Sequence, residues 1–272
     1  MIDSLDECGD KIQLLRWIET MASSQTDRVH LVLTSRLEPD ITIRLNRITR
    51  LRPVTFEALA LKEDIRIYVE EHVSSINYWS EDIKALVKNA VFGGADGMFR
   101  WVALQIDSLR KCKKSKDVKN QLKALPINLE ATYERVLARN DQPSDLLQML
   151  HWLAFSTRAL KLEELAETVS VDLDAEGCPS YDADLKYAVP STVLTVCAGL
   201  VTESEATVEM QMETCRRSPR GFGSRMWIVK LAHYSVKEYL ISARIKTGAA
   251  AFFAINERLS HSVIAQTCFA YL

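Results

Sequence analysis

No Gly-Lys dipeptide occurs anywhere in these 272 residues. Its absence removes the loop that cradles a nucleotide's phosphates with backbone N–H groups and sets a lysine on the β/γ oxygens. Nine glycines, seven prolines and 8% aromatic residues leave little room for an all-β or collagen-like chain. Neither sign of charge dominates: 34 basic against 36 acidic residues give a net charge of −2, so no global field draws the chain to nucleic acid. Met1–Glu7 lacks the basic-then-apolar order of a secretion signal. The longest uncharged run, Tyr187–Thr202, carries Pro190 and Gly199 and falls short of the ~18 apolar residues of a membrane span. Six cysteines (Cys8, Cys112, Cys178, Cys197, Cys215, Cys268) form no C-x-x-C pair, which points to reduced thiols and a cytoplasmic protein. The five histidines form no H-E-x-x-H zinc set, and no G-x-S-x-G nucleophile elbow exists.

What is present is a soluble composition, 47% apolar and 26% charged, long enough for about two compact units. The expected fold is mainly α with a partial α/β portion. Asp10 opens a helical stretch with Ile12, Leu14, Leu15, Ile18 and Met21. Val29–Leu33 reads as a short buried strand ending in Thr34-Ser35-Arg36, and Ile48–Leu51 as a second strand halted by Pro53. Strand, helix and strand with continuous apolar strands is the order of a parallel sheet. From Glu57 to about Asn140 the pattern is helical, with stripes at Leu61, Ile65, Tyr68, Val69, His72, Val73 and at Ile83, Leu86, Val87, Ala90. Gly93–Gly97 interrupts it before Met98, Trp101, Val102, Gln105 and Leu109, and Leu129–Ala138 forms a further helix. The lysines at 111, 113, 114, 116 and 119 read as a solvated connection.

Asn140–Ser144 is the clearest linker. Beyond it the sequence predicts helix 145–156, a short extended piece at 158–162, helix 163–171 and an acidic loop over 172–184. Helix 191–198, a strand at 200–203 and a strand at 227–231 follow. That order predicts a winged helix. The excursion between its last strands carries Glu203, Glu205, Glu209 and Glu213 on one arm and Arg216, Arg217, Arg220 and Arg225 on the other. The resulting partition is 1–56, 57–140, 141–245 and 246–272, the last opening with helix Glu257–Leu272 as the start of a following helical or repeat region.

Met1–Cys8 carries the most chemistry. A hydrophobic entry into D-x-x-D-E (Asp3, Asp6, Glu7) resembles a Walker B strand end, where one carboxylate holds Mg²⁺ and the next orients water. I-D-S-L-D-E-C, L-V-L-T-S-R, G-M-F-R-W-V-A-L-Q, L-P-I-N-L-E-A-T-Y-E-R-V-L and H-Y-S-V-K-E-Y-L, in that order, resemble the NACHT-type (STAND) signal-transduction NTPases of filamentous fungi. The match is to the second half of a nephrocystin-3-like NACHT domain and to the winged helix named after GPI inositol-deacylase, in chains that often continue into ankyrin repeats. The resemblance implies a truncated P-loop NTPase sheet, a helical domain and a winged-helix domain. It implies Asp3 as the Mg²⁺ ligand, Asp6 and Glu7 as ancestral water-positioning catalytic residues, and Arg36 and His233 as nucleotide-binding residues. ATP or ADP with Mg²⁺ would be the cofactors of the intact architecture, and none of this chain alone. Gly97-Met98-Phe99 stands where the family has Gly-x-Pro.

With the phosphate loop missing, the expectation is a nucleotide-switch fragment inactive as an ATPase. The alternative is a nucleotide-independent scaffold that binds protein partners or itself. A DNA-binding winged helix is disfavoured because the 191–198 helix has no Lys or Arg. Neither nucleic acid nor a membrane is expected as a partner.

Overall fold

Leu15 and Ile18, three residues apart, set the inner face of helix α1 (Lys11–Ser23) and are buried, with Leu14 beside them. Ile12 is exposed, so the apolar stripe runs through 14, 15 and 18 and leaves Ile12 to solvent. In this computed structural model, residues 1–23, 30–54, 58–175, 177–206 and 226–272 are described. The chain divides into two units, Met1–Ala60 and Leu61–Leu272.

In the first unit, Ile2 and Leu33 form a parallel bridge. The Ile2 N–H donates to the Val32 carbonyl (2.8 Å), and the Thr34 N–H to the Ile2 carbonyl (3.0 Å). Val29, the expected first residue of this strand, lies outside the described residues. Helix α2 (Pro39–Leu45) starts with proline in its first turn, where the missing N–H costs nothing, and buries Ile41. Leu5, Leu15, Ile18 and Ile41 make the core, edged by Ile2, Leu33, Leu45 and Ile48. A Lys11–Glu38 ion pair (2.7 Å) joins the start of α1 to the residue before α2. The strand expected at Ile48–Leu51 is not formed. The Ile48 N–H bonds back to Leu45 and the Leu51 N–H to Ile48 (3.0 and 3.1 Å), continuing α2 into successive turns. Ile48 reaches the core as a single side chain, and packing overrides its β-propensity.

The second unit opens with helices that bury one stripe each. Ile65, Val69 and Val73 on α3 (Ala58–Ser74) meet Ile83, Val87 and Val91 on α4 (Glu81–Gly94). The α4 stripe has an i, i+4, i+8 spacing, and Leu86 is left exposed. Helix α5 (Phe99–Arg110) adds Trp101, Val102, Ile106 and Leu109 to this cluster, and α6 (Ser115–Lys123) adds Val118. The five lysines at 111–119 are solvated, with Lys113 Nζ 4.6 Å from the centre of the Tyr78 ring. Helix α7 (Leu129–Ala138) is capped by Asn128, whose side chain accepts from the Ala131 N–H (2.8 Å).

A second cluster forms around α8 (Pro143–Phe155), β1 (Leu160–Lys161), α9 (Leu162–Thr168), α10 (Thr192–Val196), β4 (Val201–Ala206), β5 (Met226–Leu231) and α11 (Tyr234–Ile241). The sheet order is β1-β5-β4, all antiparallel, with Val229 opposite Leu160 on one side and Glu203 on the other. The acidic segment expected as a loop contains a small hairpin, β2 (Val171–Asp172) with β3 (Ser180–Tyr181). Glu209, Glu213, Cys215, Arg216, Arg217, Arg220 and Arg225 lie outside the described residues. Helix α12 (Glu257–Tyr271) packs on α8, where a ring nitrogen of buried His151 meets Ser260 Oγ at 2.8 Å. The molecule is mainly helical, with a partial α/β portion and a small antiparallel sheet. Among the described residues no helix is long and apolar enough to cross a membrane.

Candidate functional site

The parallel bridge at Ile2 and Leu33 sets two acidic positions against the segment that follows Leu33. The Thr34 hydroxyl is the hinge of this arrangement. It accepts from the Ser4 N–H (2.9 Å) and donates to the Asp3 carboxylate. Ser4 adopts a left-handed conformation (φ 53°) and leads into the single 3₁₀ turn Leu5–Glu7. That turn folds Asp6 inward until only 7% of it is exposed. Asp6 Oδ1 accepts the Arg36 backbone N–H at 3.0 Å, and Oδ2 lies 3.4 Å from Arg36 Nε. Burial pushes the Asp6 carboxyl up. The Arg36 backbone N–H, its own backbone N–H, the Arg36 guanidinium and the Ser35 hydroxyl outweigh burial and hold it below the ordinary carboxylate value.

The structure therefore brings Asp3, Asp6 and Arg36 into one group, with Glu7 next to Asp6 on the same turn. Sequence reasoning identified these acids and the arginine and missed the hydroxyls of Thr34 and Ser35 that orient them. The signal was present as two consecutive hydroxyl residues directly before the arginine.

His233 belongs to the second unit. It is the extended N-cap of α11 (φ −161°, ψ 147°), and its Nδ1 accepts the Ser235 N–H at 3.1 Å. Ser235 Oγ sits 2.7 Å from that Nδ1 and 2.9 Å from the hydroxyl of Tyr133, a fully buried residue on α7. With Nδ1 held as an acceptor, the neutral ring carries its proton on Nε2. At the Gly97-Met98-Phe99 element, Gly97 takes φ +74° and Met98 stands at the N-cap position of α5 without a side-chain cap bond. Phe99 stands edge-on to Tyr68 (5.7 Å), which stacks on His72 (3.9 Å).

Asp3 with its hydroxyl partner fits a carboxylate that reaches a metal through water. Asp6 is already committed to Arg36, and the sequence supplies no phosphate loop. Among the described residues no three His, Cys, Asp or Glu side chains converge as a metal set. Among the described residues, those of this group do not by themselves make a complete Mg-nucleotide site.

The chain is 33% identical over 153 residues to the azaphilone pigments biosynthesis cluster protein L of Monascus ruber, covering 56% of this chain and 29% of that protein. It is 24% identical over 188 residues to the vegetative incompatibility protein HET-E-1 of Podospora anserina, covering 66% of this chain and 14% of that protein. The matches thus span less than a third of either relative's length. No protein-family profile and no solved structure matches the chain.

Proposed function

We propose that this chain carries the part of a NACHT-type nucleotide switch that follows the phosphate loop, and that it does not hydrolyse ATP by itself. The observation that carries the reading is the Asp3–Thr34 and Asp6–Arg36 group on a parallel bridge. The acidic turn that follows Ile2 and the cation that follows Leu33 meet there beside the bridge. The two fungal relatives support it coarsely: both are much longer chains, and one is named for vegetative incompatibility. In this reading Asp3 meets Mg²⁺ through water, Glu7 and Asp6 derive from water-positioning residues, and Arg36 and His233 sense phosphate oxygens. The segment from α8 to β5 is read as a winged helix from its α8-β1-α9-α10-β4-β5 order, with the β2–β3 hairpin inserted between α9 and α10, and from its β1-β5-β4 sheet. α10 has no basic residue, so the reading assigns it no role on DNA.

Phosphoryl transfer is mostly positioning and charge stabilisation. The parts that do this for the β and γ phosphates are missing from the sequence. Calorimetry and phosphate-release assays with Mg-ATP are expected to show neither saturable binding nor turnover. Micromolar binding, or turnover that Asp3→Asn abolishes, would overturn the inactive reading. A nucleotide-independent scaffold is the second reading, favoured by the structural use of Asp6, whose carboxylate is spent on the Arg36 backbone and side chain.

A further inference from the structure

Three cations line one cleft of the second unit, and none of them forms an ion pair among the described residues. The cleft is about 590 Å³ and lies between α5 (Asp107, Ser108, Lys111), α7 (Thr132, Arg135, Arg139) and the region of α10 (Thr195, Val196, Gly199). That is within the size range of small-ligand pockets. Its walls are tied in place. Asn140 Nδ2 donates to the Val196 carbonyl (2.8 Å) at the end of α10, and Arg100 Nη2 to the Gly199 carbonyl (2.6 Å). Gly199 takes φ +83°, a conformation that turns the chain back at this wall.

Arg135 is the unusual member. Its Nη1 donates to the Ala124 carbonyl (2.9 Å) and its Nη2 to Gln105 Oε1 (3.0 Å), both neutral acceptors. Gln105 is fully buried and is itself fixed, donating through Nε2 to Thr132 Oγ1 at 3.1 Å. The guanidinium is thus fixed through both Nη atoms, and among the described residues these bonds engage two of its five N–H donors. Burial pushes its pKa down, and Arg139 pushes it down further. The charge that bears on it is of its own sign. Two carboxylates also line the cleft. Asp107 lies 3.9 Å from Arg110, and Asp141 sits at the linker end. Among the described residues neither pairs with Lys111, Arg135 or Arg139.

A semi-buried, preorganised arginine fork with two further cations, unpaired with the two carboxylates of the same cleft among the described residues, is an arrangement that suits an oxyanion, because the fork matches a pair of its oxygens. We propose that the cleft between α5, α7 and α10 binds a small molecule carrying a phosphate group, with Arg135, Arg139 and Lys111 as its cationic wall. Against Asp107 and Asp141 the three cations leave the cleft only one charge positive, but their N–H groups outnumber the two oxygens of one carboxylate and suit the three or more oxygens of a phosphate. The ligand would span the wall of α5 and α7 and the wall at α10 and Gly199, so its binding would stiffen that junction. The site shares no residue with the Asp3 group or with His233, and it stands or falls independently of the nucleotide-switch reading.

The test uses the full chain, with inorganic pyrophosphate as probe and amide NMR and calorimetry as readouts. Saturable shifts confined to residues 104–111, 132–141 and 195–199 are expected. Arg139→Gln and Lys111→Gln change exposed side chains, and each is expected to weaken binding about tenfold with circular dichroism unchanged. Arg135→Lys, which loses the fork and keeps the charge, should weaken it at least as much. Lys62→Gln, which removes an exposed cation on α3 outside the cleft, should leave it unaltered. No saturable shift, shifts unchanged in both glutamine variants, or equal affinity for citrate at matched ionic strength would each overturn the proposal.

Discussion

Asp6 sits where a carboxylate is hardest to replace, since its two oxygens answer a backbone N–H and a guanidinium and almost none of it meets water. Asp6→Asn keeps the shape and loses the charge, so the Arg36 contacts weaken while the amide nitrogen gains no acceptor. A loss of about 1–3 kcal/mol is expected, read as a lower urea midpoint at pH 7. The pH dependence has a definite sign. A carboxyl held below its ordinary value of 3.8 contributes stability that is full above that value and is lost as pH falls through the lowered one. Wild type should therefore lose part of its margin over Asp6→Asn as pH falls below 3.8. His151 behaves differently because it is a base. Burial pushes its pKa below 6.5, so the unfolded chain binds more protons than the folded one in the interval beneath 6.5. Stability should fall as pH drops from about 7 toward 5, and His151→Gln should flatten that slope in urea titrations. The residue-scale chemistry was only half visible in the sequence. D-x-x-D-E and T-S-R name the charged groups, whereas the Thr34 hydroxyl bond to Asp3 depends on a parallel register that no local pattern encodes.

At the scale of elements, Gly94 offers a decisive substitution. It ends α4, where alanine would ordinarily stabilise a helix by up to about 1 kcal/mol. A Cβ there would stand 2.6 Å from Trp101 Cη2, and the ring cannot withdraw. Trp101 is 1% exposed, and its Nε1 donates to the Pro126 carbonyl at 3.0 Å. Overpacking wins over propensity, and Gly94→Ala should cost about 1–3 kcal/mol, read as a drop in Tm of several degrees. The long helices were legible because their apolar stripes are local: Ile83 and Val87, four residues apart, lie on the buried face of α4, whereas Val91 and the Asn128 cap of α7 came only with the structure. The hairpin of β2 and β3 was not, since two-residue strands carry no alternation and their pairing is set by tertiary contact with α12. Ile48–Leu51 misled for the opposite reason. Its β-branched residues looked like a strand, and the place they occupy is a turn that needs one apolar side chain and no ladder.

On the scale of the whole molecule, the chain combines a small unit with a core of four fully buried residues and a larger helical unit with two apolar clusters. The proposed reading draws on an acidic turn in the first unit and on the N-cap histidine of α11 in the second, and no tight nucleotide binding is expected of either without a phosphate loop. The most direct test of the account supplies what the sequence lacks. A fungal segment carrying a G-x-x-x-x-G-K-[ST] loop would be joined ahead of Met1, and Mg-ADP binding measured by calorimetry beside the unmodified chain. The account predicts that the unmodified chain gives no saturable heat and that the joined protein binds ADP. Asp3→Asn or His233→Ala should each weaken that binding about tenfold or more. Tight ADP binding by the unmodified chain, or binding by the joined protein that is indifferent to both substitutions, would contradict it.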